Sequence, residues 1–494
     1  MQQENILKPY PKKNFLKKFV DGCTNCIKNI NIKNVNIKIP QITFCGAAKT
    51  VTGSKYLLEY KDKKILVDCG LFQGLKDDRI KNRQQMPFFP KDINAILLTH
   101  AHLDHSGYIP LMVKNGFKGY VYCTQATYEL CKIILPDSGF LQEEDAKYMA
   151  KKGASKHKNP LPLYTEEDAI KSLKQFKIIR FDDEVKLDTD ISFTINGAGH
   201  ILGAGIINVK VGDKKVVFSG DLGRTNDDIM HDPEKVAEGD YVLCESTYGD
   251  RVHKDIDAKE ELANIINKTV SRGGNVIIPA FAVGRTQLLL YYIYKLKKER
   301  KIPSVPVFVD SPMSIKATNL LDDFASQHKL SEKECFEIFD DTKFTTTVDQ
   351  SKRIFDQKVP SIIISASGMA TGGRVLHHLA HYGPDNRNTI LLVGYQAMGT
   401  RGRALQDGKK ELKIHGQVVK INATVEKLEN MSAHADSNEL INWLKGFKEK
   451  PQKLFVVHGE EKGSQCFAER VETELRWNVM VPEYLQIYQL QGNN

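Results

Sequence analysis

The sequence predicts an α/β protein in which one architecture interrupts another, and three patterns along its 494 residues carry that prediction. Between about 40 and 249, short apolar runs are separated by tight glycine turns, the signature of paired strands. From 250 to 401, helix-length and strand-length segments alternate, which implies a parallel sheet with crossover helices. Strand pairs return over 402–494. The middle block is therefore expected as an insertion, and a basic extension over 1–39 precedes the whole.

The elements follow in chain order. Residues 1–39 hold eight lysines against Glu4 and Asp21, and so most of the chain's net charge of +9. Bulk charge thus says little about the remaining body, and a solvated extension is expected here rather than an RNA-binding arm. Cys23 and Cys26 form a lone CxxC with no second pair. "QITFCGAAKTVTGSKYLLEYKDKKILVDCG" (41–70) reads as strand, turn, strand, turn, strand, ending at Asp68. "INAILLTH" (93–100) is a strand, and "SGYIPLMVKNG" (106–116) a helix closed by Gly116. A polar helical stretch covers about 136–176. Strands with glycine turns follow over 190–224, with His200 in one turn and Asp221 just after "KVVFSG". The strand "DYVLCESTYG" carries Glu245.

In the inserted block a helix over 257–271 leads to the strand "NVIIPAFAVG" and the helix "RTQLLLYYIYKLKKER". The interleaved lysines and aromatics of that helix are expected to give a core face and a solvated end. "VPVFVD", "SIIISAS" and "NTILLVGYQ" are further strands, with the helix "GGRVLHHLAHYG" before the last. The chain then runs through "ELKIHGQVVKINATVEKLENMSAHAD", a helix, the strand "KLFVVHGE" and a final helix.

Composition sets the class. Apolar residues make up 41% and charged residues 27%, the balance of a globular protein, and no apolar run reaches the length of a membrane span. The first residues lack the apolar stretch of a signal peptide. Nine scattered cysteines, an odd number, point to a reducing cytoplasm.

"THAHLDHSG" (99–107) holds the chemistry: His100, His102, Asp104 and His105 fall within six positions where a strand gives way to a helix. His100 and His102, two apart on extended chain, point the same way and can share one metal. Asp104 and His105, at the helix start, point elsewhere and can serve a second ion. Imidazole with carboxylate is a zinc-type ligand set. Asp68, His200, Asp221 and the His434 of "SAHAD" are further polar residues near strand ends. Ligands gather at the carboxyl ends of strands in open sheets, so these distant positions can converge. Together they provide two sites with a carboxylate left to bridge.

These motifs resemble the metallo-β-lactamase superfamily. The long block after "CESTYGDR", followed by "SAHAD", resembles its β-CASP branch of nucleic-acid nucleases, which includes ribonuclease J and the eukaryotic pre-mRNA 3′-end endonuclease. "FCGAAKTVTGS", "SASGMATGGRVLHHL" and "LLVGYQ" are similar to the shorter bacterial and archaeal members. The resemblance implies an αββα sandwich over 40–249 and 402–494, with an inserted parallel-sheet β-CASP domain over 250–401. It also implies two zinc ions, for which manganese is a substitute. His100, His102 and His200 would hold the first, Asp104, His105 and His434 the second, and Asp221 would bridge. Asp68 would orient the HxH loop, and Glu245 with a further histidine, best matched by His415, would form an acid pair.

Two clamped cations suit phosphodiester hydrolysis because they steady both the entering and the leaving oxygen. In "SASGMATGGR" a strand, a glycine-rich turn and a helix follow one another, so Ser367, Gly368 and Arg374 are candidates for holding phosphate. Arg285 after "PAFAVG", and Ser311, occupy the same kind of strand end. The expected activity is hydrolysis of single-stranded RNA, leaving 5′-phosphate and 3′-hydroxyl, in endonucleolytic or 5′→3′ mode. A DNA nuclease, a small-molecule hydrolase of the same fold and a catalytically dead RNA-binding subunit are the alternatives. The long insertion disfavours the small-molecule hydrolase, and the intact ligand set disfavours the dead subunit. No membrane contact is expected, and pairing into a homodimer is left open.

Overall fold

A computed structural model describes residues 37–152, 161–253, 257–428 and 431–491. The basic leader, apart from its last three residues, and the Cys23/Cys26 pair lie outside the described residues. Among the described residues no helix is long and apolar enough to cross a membrane.

Two seven-stranded sheets form the body. The first runs, in spatial order, Ile487–Gln489, Ile37–Phe44, Tyr56–Lys61, Lys63–Val67, Ala95–Leu97, Tyr120–Thr124 and Phe176–Ile179. The second runs Val479–Met480, Lys453–Val457, Tyr241–Glu245, Lys214–Phe218, Gly205–Val211, Ile191–Gly197 and Val185–Asp188. Their inner faces share one core: Phe44, Leu58, Val67 and Leu97 from the first sheet meet Phe193, Ile207, Phe218 and Phe455 from the second. The helix Gln125–Lys152 and the helix Glu461–Leu475 pack on outer faces with a separate set of apolar residues, so the layers are helix, sheet, sheet, helix.

The third sheet belongs to the insertion. Its order is Thr342–Phe344, Val307–Val309, Ile362–Ser365, Val276–Pro279, Thr389–Val393 and Thr424–Leu428, and every pairing is parallel. These strands are continuous runs such as "VIIP", "IIIS" and "TILLV" in which every residue is buried, as expected where helices cover both faces. The helix Arg285–Lys298 buries Leu288, Leu289, Ile293 and Leu296. Its lysines Lys295 and Lys297 reach Glu334 and Asp341 on the surface, the expected division of core face and solvated end.

The insertion ends later than 401. Thr424–Leu428 pairs with Thr389–Val393 from Thr389↔Thr424 to Val393↔Leu428, so it extends the inserted sheet instead of returning to the sandwich. The hairpin Glu411–Ile414/Gln417–Lys420 lies before that strand, and its Leu412 and Ile414 join the inserted lobe's core. The hairpin-like pattern after 402 suggests a return to the sandwich; the parallel pairing of one more strand places the boundary after Leu428. The polar helical region also begins earlier than 136, as a 28-residue helix from Gln125.

Candidate metal centre

The first three candidate residues are set by one knot of backbone. Asp68 follows the strand Lys63–Val67 with φ 58, a left-handed turn that swings its carboxylate across the sheet end. Cys69 N–H donates to the His105 carbonyl at 2.7 Å, Ser54 N–H to Asp104 O at 2.8 Å and Leu71 N–H to Leu103 O at 2.8 Å. The turn carrying Asp104 and His105 is thereby tied to the neighbouring loops. Gly70 is required there, because a Cβ would lie 1.6 Å from the Asp104 carbonyl oxygen.

His100, His102, His200 and Asp221 converge. His100 Nε2 lies 3.1 Å from His102 Nδ1, which lies 3.2 Å from His200 Nε2. Asp221 Oδ2 is 3.4 Å from His100 Nε2 and 3.6 Å from His200 Nε2. Beside them stands a second group, Asp104, His105 and His458. His105 Nε2 is 3.1 Å from His458 Nε2 and 3.2 Å from the other Asp221 oxygen, and His458 Nε2 is 3.6 Å from Asp104 Oδ2. Asp221 thus offers one oxygen to each group.

The donor set fits two cations. A neutral imidazole presents a single lone pair, and rings facing one another at about 3 Å cannot all be satisfied by shared protons. Asp221 Oδ1 is buried with no hydrogen bond, the kind of orphaned acceptor that a cation satisfies. Burial holds His100 down to about 3 and His102 to about 4, and pushes His200 well below the ordinary histidine range, so all three are neutral at pH 7. Burial opposes ionisation of Asp221, but His105, His458 and His100 outweigh it and keep the carboxylate charged. Asp104 is likewise held ionised, its burial outweighed by His458 and His105.

Asp68 orients His105 and the start of the HxH loop together, since the Thr99 hydroxyl also donates to it at 2.9 Å. It contacts His105 Nδ1 at 2.7 Å and accepts from Thr99 N–H at 2.8 Å, so it fixes which nitrogen His105 presents. Burial alone would depress His105, but Asp221 and Asp68 push it well above the ordinary range. The HxH side is held by a hydroxyl, with Thr99 Oγ1 3.1 Å from His100 Nδ1. His200 Nδ1–H donates to the Ala433 carbonyl at 3.1 Å.

Two expectations are corrected by this geometry. His434 does not stand between Asp104 and His105; His458, which follows the strand Lys453–Val457, does. His434 instead overhangs the site, with Nδ1 3.2 Å from both oxygens of Glu245 and 3.9 Å from Asp221 Oδ2. Burial would lower its pKa, but Glu245 and Asp221 raise it. Glu245 is fully buried and is steadied by the Leu222 N–H at 2.7 Å. The histidine beside Glu245 is therefore His434. His415 occupies the exposed hairpin turn of the inserted lobe at φ 49, its ring stacked on His377 at 4.5 Å.

The phosphate candidates separate. Arg374 is committed to the fold: it donates to Asp310 Oδ1 at 2.7 Å and to the carbonyls of Thr345 and Thr346 at 3.0 Å. Ser311 caps the helix Pro312–Asp323, accepting from Ser314 N–H. Ser367 Oγ accepts from Thr371 N–H at 3.0 Å within its own turn, and a Cβ on Gly368 would lie 2.8 Å from Phe281 N, so that turn packs closely. Arg285 is different: it is 6% exposed, and its Nε and Nη1 carry no hydrogen bond.

A cavity between the lobes lies near the centre. Its volume is about 330 Å³, and it is lined by Tyr248, Arg251 and Glu460 from the sandwich and by Tyr395, Arg403 and Lys427 from the insertion. Tyr248 reaches within 6.2 Å of the His434 ring, centroid to centroid. The Tyr395 hydroxyl donates to Glu460 across the junction.

Comparison with known proteins agrees with this architecture. Residues 50–271 match the metallo-beta-lactamase superfamily, 286–405 the Beta-Casp domain, and 418–482 the Zn-dependent metallo-hydrolase RNA specificity domain. The chain is 34% identical over 430 residues to ribonuclease TTHA0252 of Thermus thermophilus, covering 84% of this chain and 92% of that protein. It is 32% identical over 461 residues to the transcription termination factor FttA of Methanosarcina mazei, covering 88% of this chain and 69% of the relative. A solved structure of a protein of unknown function from Enterococcus faecalis shares the fold, with a TM-score of 0.53 and 16% identity over 91% of this chain and 100% of that one. The chain belongs to the β-CASP branch of the metallo-β-lactamase superfamily and is a metal-dependent hydrolase of that nuclease family.

Proposed function

We propose that the protein is a ribonuclease using two zinc ions to hydrolyse single-stranded RNA to products with 5′-phosphate and 3′-hydroxyl ends. The observation that carries this reading is the His434–Glu245 pair, set beside the carboxylate Asp221, with the His434 ring 6.2 Å from Tyr248 of an inter-lobe cavity. The names of the relatives, a ribonuclease and a transcription termination factor, support RNA as the polymer. Manganese suits the same donors, and the cysteine pattern supports a cytoplasmic setting.

His100, His102, His200 and one Asp221 oxygen would hold the first ion; Asp104, His105, His458 and the other oxygen would hold the second. Ions held there would supply an activated water and neutralise charge developing on the phosphate. The chain's own residues do the rest. Tyr395 offers a ring to a base, and Arg251, Arg403 and Lys427 offer charge to the backbone. Such a slot admits one strand threaded between the lobes. His434, held by Glu245, stands where a proton can be passed to the departing 3′ oxygen, a contribution typically worth about 10²–10⁴-fold. The Ala433 carbonyl that orients His200 belongs to the same loop, so proton donor and metal ligand are positioned together.

The test is metal analysis of the purified protein with cleavage of matched 5′-labelled RNA and DNA oligonucleotides and mapping of product ends. Two zinc equivalents, faster RNA cleavage and 3′-hydroxyl ends are expected. Equal or faster DNA cutting, or 3′-phosphate ends, would overturn the reading.

A further inference from the structure

We infer that Arg285 is a substrate-contacting residue, which receives a non-bridging oxygen of the scissile phosphate and steadies its charge during cleavage. This rests on the phosphodiesterase reading above and extends it to a residue outside the metal-binding set.

The physical reason is an uncompensated cation. Arg285 is 6% exposed, yet its Nε and Nη1 have no hydrogen-bond acceptor. A buried guanidinium without a bonded carboxylate costs stability, and such a cost persists at functional sites. The charged and titratable groups that act on it most strongly are Tyr248, Asp227, Tyr292 and Arg224. Asp227 spends an oxygen on the Ile229 and Met230 amides at 2.8 and 2.7 Å, and Tyr292 donates to Asp228. Arg224 adds a like charge. The nearby carboxylate, Asp227, makes no hydrogen bond to Nε or Nη1.

Its placement tells which anion is missing. Arg285 opens the helix Arg285–Lys298, and side chains in a first turn lean toward the helix N-terminus, here the lobe junction. It shares a cavity of about 30 Å³ with His200, Asp227 and Ala433, otherwise lined mostly by apolar side chains. That volume holds one water-sized group and not a nucleotide, which matches a single phosphoryl oxygen reaching in from the metal cluster. Gly394 backbone lies beside the guanidinium, where even a Cβ would be only in ordinary contact, at 3.5 Å from Nε and Nη2. Arg374, at the end of the glycine-rich turn 365–374, is already paired with Asp310.

The experiment uses full-length, metal-loaded protein and the variants Arg285→Gln and Arg285→Lys. Metal content and Tm are measured with and without inorganic phosphate, and turnover is measured on bis(p-nitrophenyl) phosphate and on RNA. Phosphate is expected to raise the Tm of the wild type and to raise that of Arg285→Gln less than half as much. Without phosphate, Arg285→Gln should melt no lower than wild type, since a lone buried charge has been removed. Its kcat should fall about 10²–10³-fold with both metals retained, the usual loss for one donor to a developing charge. Arg285→Lys should recover part of that loss. Equal phosphate shifts in wild type and Arg285→Gln, no shift in wild type, unchanged kcat, or a Tm loss in both variants would each overturn the proposal. Should the wild type cleave the nitrophenyl diester and spare RNA, the ribonuclease reading falls while the Arg285 comparison stands.

Discussion

The Nε2 atoms of His105 and His458 face one another at 3.1 Å although 353 residues separate them in the chain. They meet because the strand Lys453–Val457 lies beside Tyr241–Glu245 in parallel register, with Val457 opposite Glu245. His458, one residue further on, therefore emerges at the same sheet end as Asp221 and Glu245. His458→Ala should lower metal content to about one ion per chain. His434→Ala should keep both ions and slow cleavage by about 10²–10⁴-fold, as expected for loss of a general acid. Metal analysis of the two purified variants decides between them, and the reverse pattern would return His434 to the ligand set.

Much of this centre is legible in the amino-acid sequence, and the gaps have physical causes. Asp68, His100, Asp221 and Glu245 share one grammar: a polar residue at or just past a strand end, where neighbouring sheet ends converge. "KLFVVHGE" obeys the same grammar, so the signal for His458 is present in the sequence, but the denser "SAHAD" competes with it. His434 cannot be assigned from spacing because its partners Glu245 and Asp221 stand at or just past the ends of two other strands far away in the chain. His415 looks suitable by sequence distance alone; the hairpin that carries it folds onto the insertion, and distance along the chain says nothing of that. The boundary near 401 is misplaced for a related reason: whether Thr424–Leu428 pairs with a hairpin partner or with Thr389–Val393 is decided by tertiary packing.

The contact of Asp68 with His105 Nδ1 at 2.7 Å predicts a tautomer effect. An aspartate accepts the Nδ1 proton and leaves Nε2 free to ligate. In Asp68→Asn the new amide group can donate to Nδ1 instead, which moves the ring proton to Nε2. Loss of such an outer partner typically weakens metal affinity about 10–100-fold. Competition with a chromophoric chelator should show one ion held more weakly, with activity restored by excess zinc. Unchanged affinity would mean that Thr99 suffices to set the ring.

His415 stacks on His377 at 4.5 Å on the surface of the inserted lobe. His415→Ala should leave metal content and kcat within about twofold of wild type, since surface changes away from special features are usually small. A strong loss of kcat with both metals retained would place that hairpin in the active site during turnover.

Asp310 makes the inserted lobe's most committed buried carboxylate contacts. It accepts from Thr345 and Ser351 hydroxyls at 2.6 Å and from Arg374 at 2.7 Å, and lies 2.7 Å from His378 Nε2. Burial opposes its ionisation, yet His378, Ser351, Thr345 and Arg374 hold its pKa below the usual carboxylate range. A depressed folded-state pKa contributes stability that is fully present above the unfolded value of about 4 and is lost as pH falls below it. Arg374→Ala removes one partner and leaves Asp310 buried with fewer donors, at a cost of about 1–3 kcal/mol. The variant should therefore melt lower than wild type at pH 7, and the gap should narrow as the pH is taken below about 4. Its KM for RNA should stay near that of wild type, because Arg374 is spent inside the lobe. A raised KM with unchanged Tm would restore Arg374 to the substrate and overturn its structural role.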